Sequence, residues 1–294
     1  SLGTEGMVTS FGDKNLAQKA KSRPDLVKQV IDKVKTDGII QTYNTAKANL
    51  DQPIALGYSC AGEVVGLSDE INDIKVGDRV ACAGAGYAVH AEQIVVPRNL
   101  IAKIPDDVEF EKAAFSTIGS IAMQGVRLAN VQIGESVAVI GLGLIGLLTV
   151  QILKASGCKV IAYDPKKIQC DLAVKMNADQ TSDDIEIFHQ KCNSISNDYG
   201  VDKVIITAST KSDQPVQTAG VVARNKAKIV AVGAVGLNIP RKLYYEKELE
   251  FVVSKSYGPG RYDYQYEEAG NDYPIGYVRW TENRNMMTFL DLLG

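Results

Sequence analysis

The chain has few of the residues that hold metals or crosslinks. There are two histidines, His90 and His189, and five cysteines (Cys60, Cys82, Cys158, Cys170, Cys192) with no CxxC pair. An odd set of unclustered cysteines argues against a disulfide framework and fits a reduced, cytoplasmic protein. Zinc wants Cys, His or carboxylate ligands converging in a tetrahedron, and neither histidine stands near such a set, so no metal is expected. His90 falls in a strand-like stretch and His189 in a surface helix, and both read as structural. Charge of one sign is also missing: the formal net charge is −3 with Lys and Arg scattered, which argues against nucleic acid as a partner. "SLGTEG" is not a signal peptide. The stretch Val137–Leu153 has 17 residues without a charge and includes three glycines, short of the roughly 20 apolar residues of a membrane helix.

What is present is ordinary for a soluble globular chain: 294 residues, 45% hydrophobic and 23% charged, enough for two domains. The uncharged run divides into a buried strand, "ESVAVIG", and a helix, "LIGLLTVQILKASG", ending in glycine. At their junction Gly141, Gly143 and Gly146 form GxGxxG. A second strand, "KVIAYD", ends in Asp164, 18 residues after Gly146. Gly141 allows the tight turn, Gly143 admits a pyrophosphate close to the backbone, and Gly146 lets helix and strand pack closely. The first helical residues, Leu144 and Ile145, offer free N–H groups to the phosphates. Asp164 accepts ribose hydroxyls and repels a 2′-phosphate, which favours NAD, while Lys166 and Lys167 keep NADP open. "VDKVIITAS" and "AKIVAVGAV" read as further strands, with a helix around "QPVQTAGVVARN" between them. The alternation predicts an α/β fold with a parallel, doubly wound sheet. Ligands bind at carboxyl strand ends in that architecture, so Ala208, Ser209, Val232 and Gly233 are expected beside the nicotinamide.

Before about Lys103, "GYSCAGEVVG", "IKVGDRVACAG" and "AVHAEQIVVPRN" read as short strands of a small β-barrel. Taken in order, "GYSCAGEVVG", "VGDRV", "AEQIVVPRNLIAKIPDDVEFEKAAF" and "GESVAVIGLGLIGLL" resemble the medium-chain alcohol dehydrogenase superfamily over nearly the whole chain. "SLGTEGMV", "SYGPGRYD" and "DYPIGYVRWTENRNM" resemble its zinc-dehydrogenase-like branch, often fused to a glucose–fructose oxidoreductase-like module and associated with cell-surface polysaccharide and sugar metabolism. The resemblance implies a GroES-like barrel catalytic domain over 1–112 with a helical insertion at 7–50. A Rossmann domain over 113–254 and a returning catalytic segment over 255–294 complete it. It also implies a homodimer and a chain truncated at both ends.

Two departures from the family pattern matter. Where zinc relatives carry ligands, this chain has Leu2, Tyr58 in "GYS" and about Thr117, and the four-cysteine structural loop has no counterpart. The other is the 51 residues between Glu5 and Gly57, which read as a helical cap or lid. Without zinc, Tyr58 becomes the candidate to handle the substrate oxygen's proton. By resemblance, Thr4 matches a proton-relaying hydroxyl and Glu5 a supporting acid.

Six of the 13 tyrosines fall within the 21 residues Tyr257–Tyr277, followed by Arg279 and Trp280. Tyr262, Tyr273, Arg279 and Trp280 are candidates to hold a polyhydroxylated or anionic substrate; the alternative is a Tyr-rich structural loop. Three functions stay open. The first is a zinc-independent NAD-linked oxidoreductase of a sugar-like or polyol hydroxyl or carbonyl. The second is an NADPH-dependent enone or quinone reductase, and the third a cofactor-binding module without turnover.

Overall fold

A computed structural model describes residues 55–294. The expectations for Thr4, Glu5 and the insertion at 7–50 lie outside the described residues. Three strands, β1 (Ser59–Glu63), β2 (Arg79–Ala83) and β3 (Ile101–Lys103), form an antiparallel sheet in that order. Helices α1 (Phe110–Ala113) and α2 (Ser116–Ala129) lead into a second sheet. This one contains β4 (Ser136–Ile140), β5 (Lys159–Tyr163), β6 (Gln180–Ser182), β7 (Val201–Ile206), β8 (Ala223–Ala231) and β9 (Glu250–Val253). Between these strands run α3 (Leu144–Ala155), α4 (Lys167–Lys175), α5 (Ile185–Ile195), α6 (Gln214–Val222) and α7 (Arg241–Glu246). The last segment holds α8 (Tyr264–Glu267) and α9 (Glu282–Asp291).

Every pairing in the second sheet is parallel, and the spatial order is β6-β5-β4-β7-β8-β9. The chain winds outward from β4 to one edge, returns beside β4, and winds to the other. The expected doubly wound α/β sheet is present, and its switch point lies at the carboxyl ends of β4 and β7. β4 shows why. All five of its residues are buried, as a central strand covered on both faces requires. Its alternation sends Val137 and Val139 into one apolar layer with α2 and α3 residues such as Val126, Val150 and Leu153. Ala138 and Ile140 enter the other, with Phe188 and Cys192 of α5 and Val216 and Ala219 of α6. A third cluster seats Met286 and Leu290 of α9, with Tyr257, on Ala81, Ala83 and Ala102 of the antiparallel sheet.

Three sequence expectations are corrected. "AVHAEQIVVPRN" forms no strand, and His90 sits in an exposed turn-rich stretch. Its period-2 pattern is real, since Ile94 and Val96 pack inward while Val95 is 91% exposed. Alternation specifies a face but supplies no hydrogen-bond partner, and no ladder forms with the described residues. The helix at "QPVQTAGVVARN" stops at Val222, and β8 begins at Ala223 rather than Ala227. There Ala223 pairs with Val201 ahead of a register shift, and Lys226 takes φ +58°. Finally, β7 ends at Ile206 and β8 at Ala231, so Ala208, Ser209, Val232 and Gly233 lie just beyond the strands. His189 is on a helix as expected, but its ring is largely covered: the side chain is 23% exposed and lies 3.9 Å from Glu186.

Candidate active site

The glycine turn sits at the switch point. Gly141 has φ +98°, its N–H donates to the Tyr163 carbonyl at 2.8 Å, and an added Cβ would lie 2.5 Å from the Ala208 nitrogen. A Cβ on Gly146 would lie 2.0 Å from the Gly141 carbonyl oxygen, so only glycine lets α3 start this close to β4. Gly143 differs: a Cβ there would meet nothing within 4 Å. That space lies over the start of α3, whose first N–H groups have no internal acceptor. Crowding at the outer glycines and room at the middle one is the shape a pyrophosphate cradle requires.

Asp164 follows β5 and reaches back to the turn. Its Oδ2 accepts from the Leu142 N–H at 2.9 Å, and Oδ1 accepts from the Lys166 N–H at 2.9 Å. Each carboxylate oxygen has two lone pairs, so acceptor capacity is left for ribose hydroxyls. Thr207, which sequence reasoning missed, donates its hydroxyl to the Gly141 carbonyl at 2.5 Å and clamps the turn to the end of β7. Its spacing from the glycines is set by topology, which no local pattern reveals. Ala208 and Gly233 continue the row of strand ends, for a Cβ on Gly233 would lie 2.0 Å from the Ala208 carbonyl oxygen.

Tyr58 and Thr117 are 59 positions apart, yet the Thr117 hydroxyl donates to the Tyr58 carbonyl at 3.2 Å. The Gly84 N–H donates to the same carbonyl at 3.0 Å. Ser59 completes the junction, accepting from the Thr117 N–H and donating to the Ala114 carbonyl at 2.7 Å. Tyr58 is half-buried and Thr117 fully buried. Among the described residues no three of His, Cys, Asp and Glu gather at one point.

Beyond β9 the chain lines a cleft of about 350 Å³ with Gln124, Lys255, Gly258–Asp263 and Tyr273. Tyr262 and Tyr273, two of the substrate candidates from the sequence, therefore line it. Gln124, Lys255 and Arg261 join them unforeseen, because Gln124 comes from α2, far off in sequence. Tyr273 stacks on Tyr266 with ring centroids 5.2 Å apart and hydrogen-bonds the Asp263 carboxylate. That bond, with burial, pushes the Tyr273 phenol up to about 12. Arg279 and Trp280 do not line the cleft. Trp280 carries the Arg127 guanidinium 3.2 Å from its ring centre and Arg279 at 3.7 Å. Burial, then the charge of Arg279, lowers the Arg127 guanidinium to about 10. Asn285 links this stack to the cleft, accepting from Arg127 Nε at 2.7 Å and donating to Gln124 at 3.3 Å.

Next to the cleft residue Arg261 lies a group of buried polar side chains, Tyr257, Glu267 and Glu282. Arg261 pairs with Glu267 at 2.5 Å. Glu282 is fully buried, and neither of its carboxylate oxygens, nor the Tyr257 hydroxyl, has a hydrogen-bond partner among the described residues. Burial, followed by the nearby Glu267 charge, pushes the Glu282 carboxyl up to about 9. A larger, open groove beside α7, lined by Ile239, Tyr244, Tyr245 and Leu249, adjoins the amino end of β9, away from the carboxyl strand ends.

Residues 29–106 match the alcohol dehydrogenase GroES-like domain, and residues 145–269 match the zinc-binding dehydrogenase family. D-guloside 3-dehydrogenase of Shigella flexneri is 27% identical over 246 residues, covering 81% of this chain and 65% of that protein. Sorbitol dehydrogenase of Bacillus subtilis (strain 168) is 27% identical over 260 residues, covering 77% of this chain and 69% of that protein. The chain thus spans about two thirds of the length of these relatives. Galactitol-1-phosphate dehydrogenase from Escherichia coli shares the fold, with a TM-score of 0.66 and 22% identity over 82% of this chain and 73% of that one.

Proposed function

We propose a nicotinamide-dependent hydride transfer for this chain, which belongs to the medium-chain, alcohol dehydrogenase-like superfamily. The observation that carries the reading is the open space over Gly143, between the start of α3 and the Asp164 carboxylate. These residues fit a dinucleotide: the turn and the N–H groups of Leu144 and Ile145 hold its pyrophosphate, and Asp164 holds the adenosine ribose. Asp164 favours NAD over NADP, because its charge repels a 2′-phosphate. Ala208, Ser209, Val232 and Gly233 line the nicotinamide side. The bound cofactor supplies the hydride chemistry, and the chain's residues orient the substrate and manage its proton.

The substrate in this reading is a sugar-like or polyol compound oxidised at a hydroxyl or formed from its carbonyl. Two features support it. The relatives named above act, by their names, on a guloside, sorbitol and galactitol 1-phosphate, all polyhydroxylated. The cleft offers Tyr262 and Tyr273 faces with Gln124, Lys255 and Arg261 donors, a lining suited to hydroxyl-rich ligands. Arg279 and Trp280 support this wall from behind, through Arg127 and Asn285. Tyr58 holds or supplies the proton at the substrate oxygen, and Thr117 fixes the Tyr58 backbone. Thr4 and Glu5 belong to the same proposal as a hydroxyl relay and a supporting acid. The hydroxyls of Tyr58 and Thr117 do not fit zinc, and the reaction is proposed to be zinc-independent. The same reading carries domain boundaries near 112 and 254, a homodimer, a fused oxidoreductase module and a cytoplasmic setting; no described helix is long and apolar enough to cross a membrane.

The test is a screen of alditols and aldoses with NAD in both directions, following absorbance of the reduced nicotinamide. Tyr58→Phe is expected to lower kcat by 10²-fold or more, in line with lost acid–base catalysis, with cofactor affinity kept. A chelator should leave wild-type turnover intact. Unchanged kcat in Tyr58→Phe would remove Tyr58 from the mechanism, and loss of turnover on chelation would overturn zinc independence.

A further inference from the structure

Cys60 and Cys82 face each other directly across β1 and β2. The Gly84 N–H bonds the Tyr58 carbonyl and the Val64 N–H bonds the Asp78 carbonyl. These are rungs 58/84 and 64/78, so alternation makes 60/82 a hydrogen-bonded rung as well. Such a rung sets the Cα atoms about 5.5 Å apart, inside the 4.4–6.8 Å span that a disulfide bridges. The two thiols share one face, packed with Val80, Ala88 and Ile101, and lie within hydrogen-bonding reach of each other. Cys82 is 6% exposed, whereas Cys60 is open enough to be half-buried. The other three cysteines are buried in the two apolar layers around the parallel sheet, Cys158 and Cys170 in one and Cys192 in the other.

We propose that Cys60 and Cys82 form a dithiol oxidation site, in which a peroxide converts the cross-strand pair to a reversible disulfide. Cys60 attacks one peroxide oxygen and breaks the O–O bond, giving a sulfenic acid and releasing hydroxide, which leaves as water. The Cys82 sulfur then attacks the Cys60 sulfur, forming the S–S bond and expelling the sulfenic oxygen as a second water. In sum, two thiols are oxidised and one peroxide is reduced to two waters. The roles follow from position. Peroxide reaches Cys60 first, and the hydrogen bond from Cys82 favours the Cys60 thiolate, while that bond and burial keep Cys82 protonated. A hydrogen-bonded rung holds its Cβ atoms wider than a relaxed disulfide wants, so the bond is strained and readily reduced. It forms one hydrogen-bonded rung from Tyr58–Gly84, and so stiffens β1 just beyond Tyr58.

The test uses the full chain and hydrogen peroxide, followed by alkylation and non-reducing peptide mapping. Expected are a mass lower by two hydrogens, loss of two of five thiols, and one Cys60–Cys82 crosslinked peptide pair that dithiothreitol reverses. In Cys82→Ser the sulfenic acid on Cys60 should persist and be trapped by dimedone. Cys60 oxidised to sulfinic acid in the wild type with Cys82 still alkylatable would overturn the proposal, as would full retention of both thiols. Wild-type mapping decides the matter even where a serine variant folds poorly, and none of these readouts depends on the proposed hydride transfer.

Discussion

One methyl group at Gly146 separates a working turn from a broken one. The atom it would strike, 2.0 Å away, is a backbone carbonyl oxygen, which cannot rotate aside as a side chain can. Gly146→Ala is therefore expected to cost about 1–3 kcal/mol, the usual range for overpacking, and to weaken NADH binding at least tenfold. Thermal melts and cofactor titration read the two effects. Glu282 makes the opposite case, since its native carboxyl is the destabilising group. Its acidity in the fold lies near 9 against 4.5 for a free side chain. Below 4.5 both states hold the proton and nothing is lost; between 4.5 and 9 only the unfolded chain ionises. Stability then falls as pH rises, by at most roughly 1.4 kcal/mol per pH unit. Glu282→Gln should be near neutral at pH 4 and increasingly stabilising towards pH 8, measured by melts across that range. A gain independent of pH would contradict this. Asp164 and the three glycines were legible in the sequence because their chemistry is local. Thr207 and Gln124 were not, because each acts on residues that only the sheet topology brings near.

Among the elements, the parallel strands were the most readable. β4, β5 and β7 are short apolar runs buried on both faces, and the helices between them leave few other arrangements. Boundaries were less so: β8 starts four residues early, inside a polar "ARNK" whose Ala223 is set by pairing with Val201. The stretch around His90 shows that a period-2 pattern can pack a face without joining a ladder. The Tyr-rich segment was legible as unusual, but its division into cleft lining and supporting stack depends on α9. Asn285 of α9 is fully buried and contacts Gln124, Arg127 and the Tyr257 carbonyl. Asn285→Ala leaves those groups without partners and is expected to cost about 1–3 kcal/mol. Because Trp280 is the single tryptophan and stacks on Arg127, its fluorescence should change in the same variant. A melt and emission spectrum identical to wild type would show that α9 is not holding the stack.

For the whole molecule, α2 packs on both sheets and α9 packs on α2 and the antiparallel sheet. Everything proposed about substrate and proton handling presupposes a dinucleotide on the glycine turn with Asp164 at its ribose. The most direct measurement is a fluorescence titration of the full chain with NADH and NADPH, repeated with Asp164→Ala. The account predicts tighter binding of NADH than NADPH in the wild type, and a loss or reversal of that preference in the variant. Binding of neither cofactor, or an unchanged NADH preference without Asp164, would contradict it.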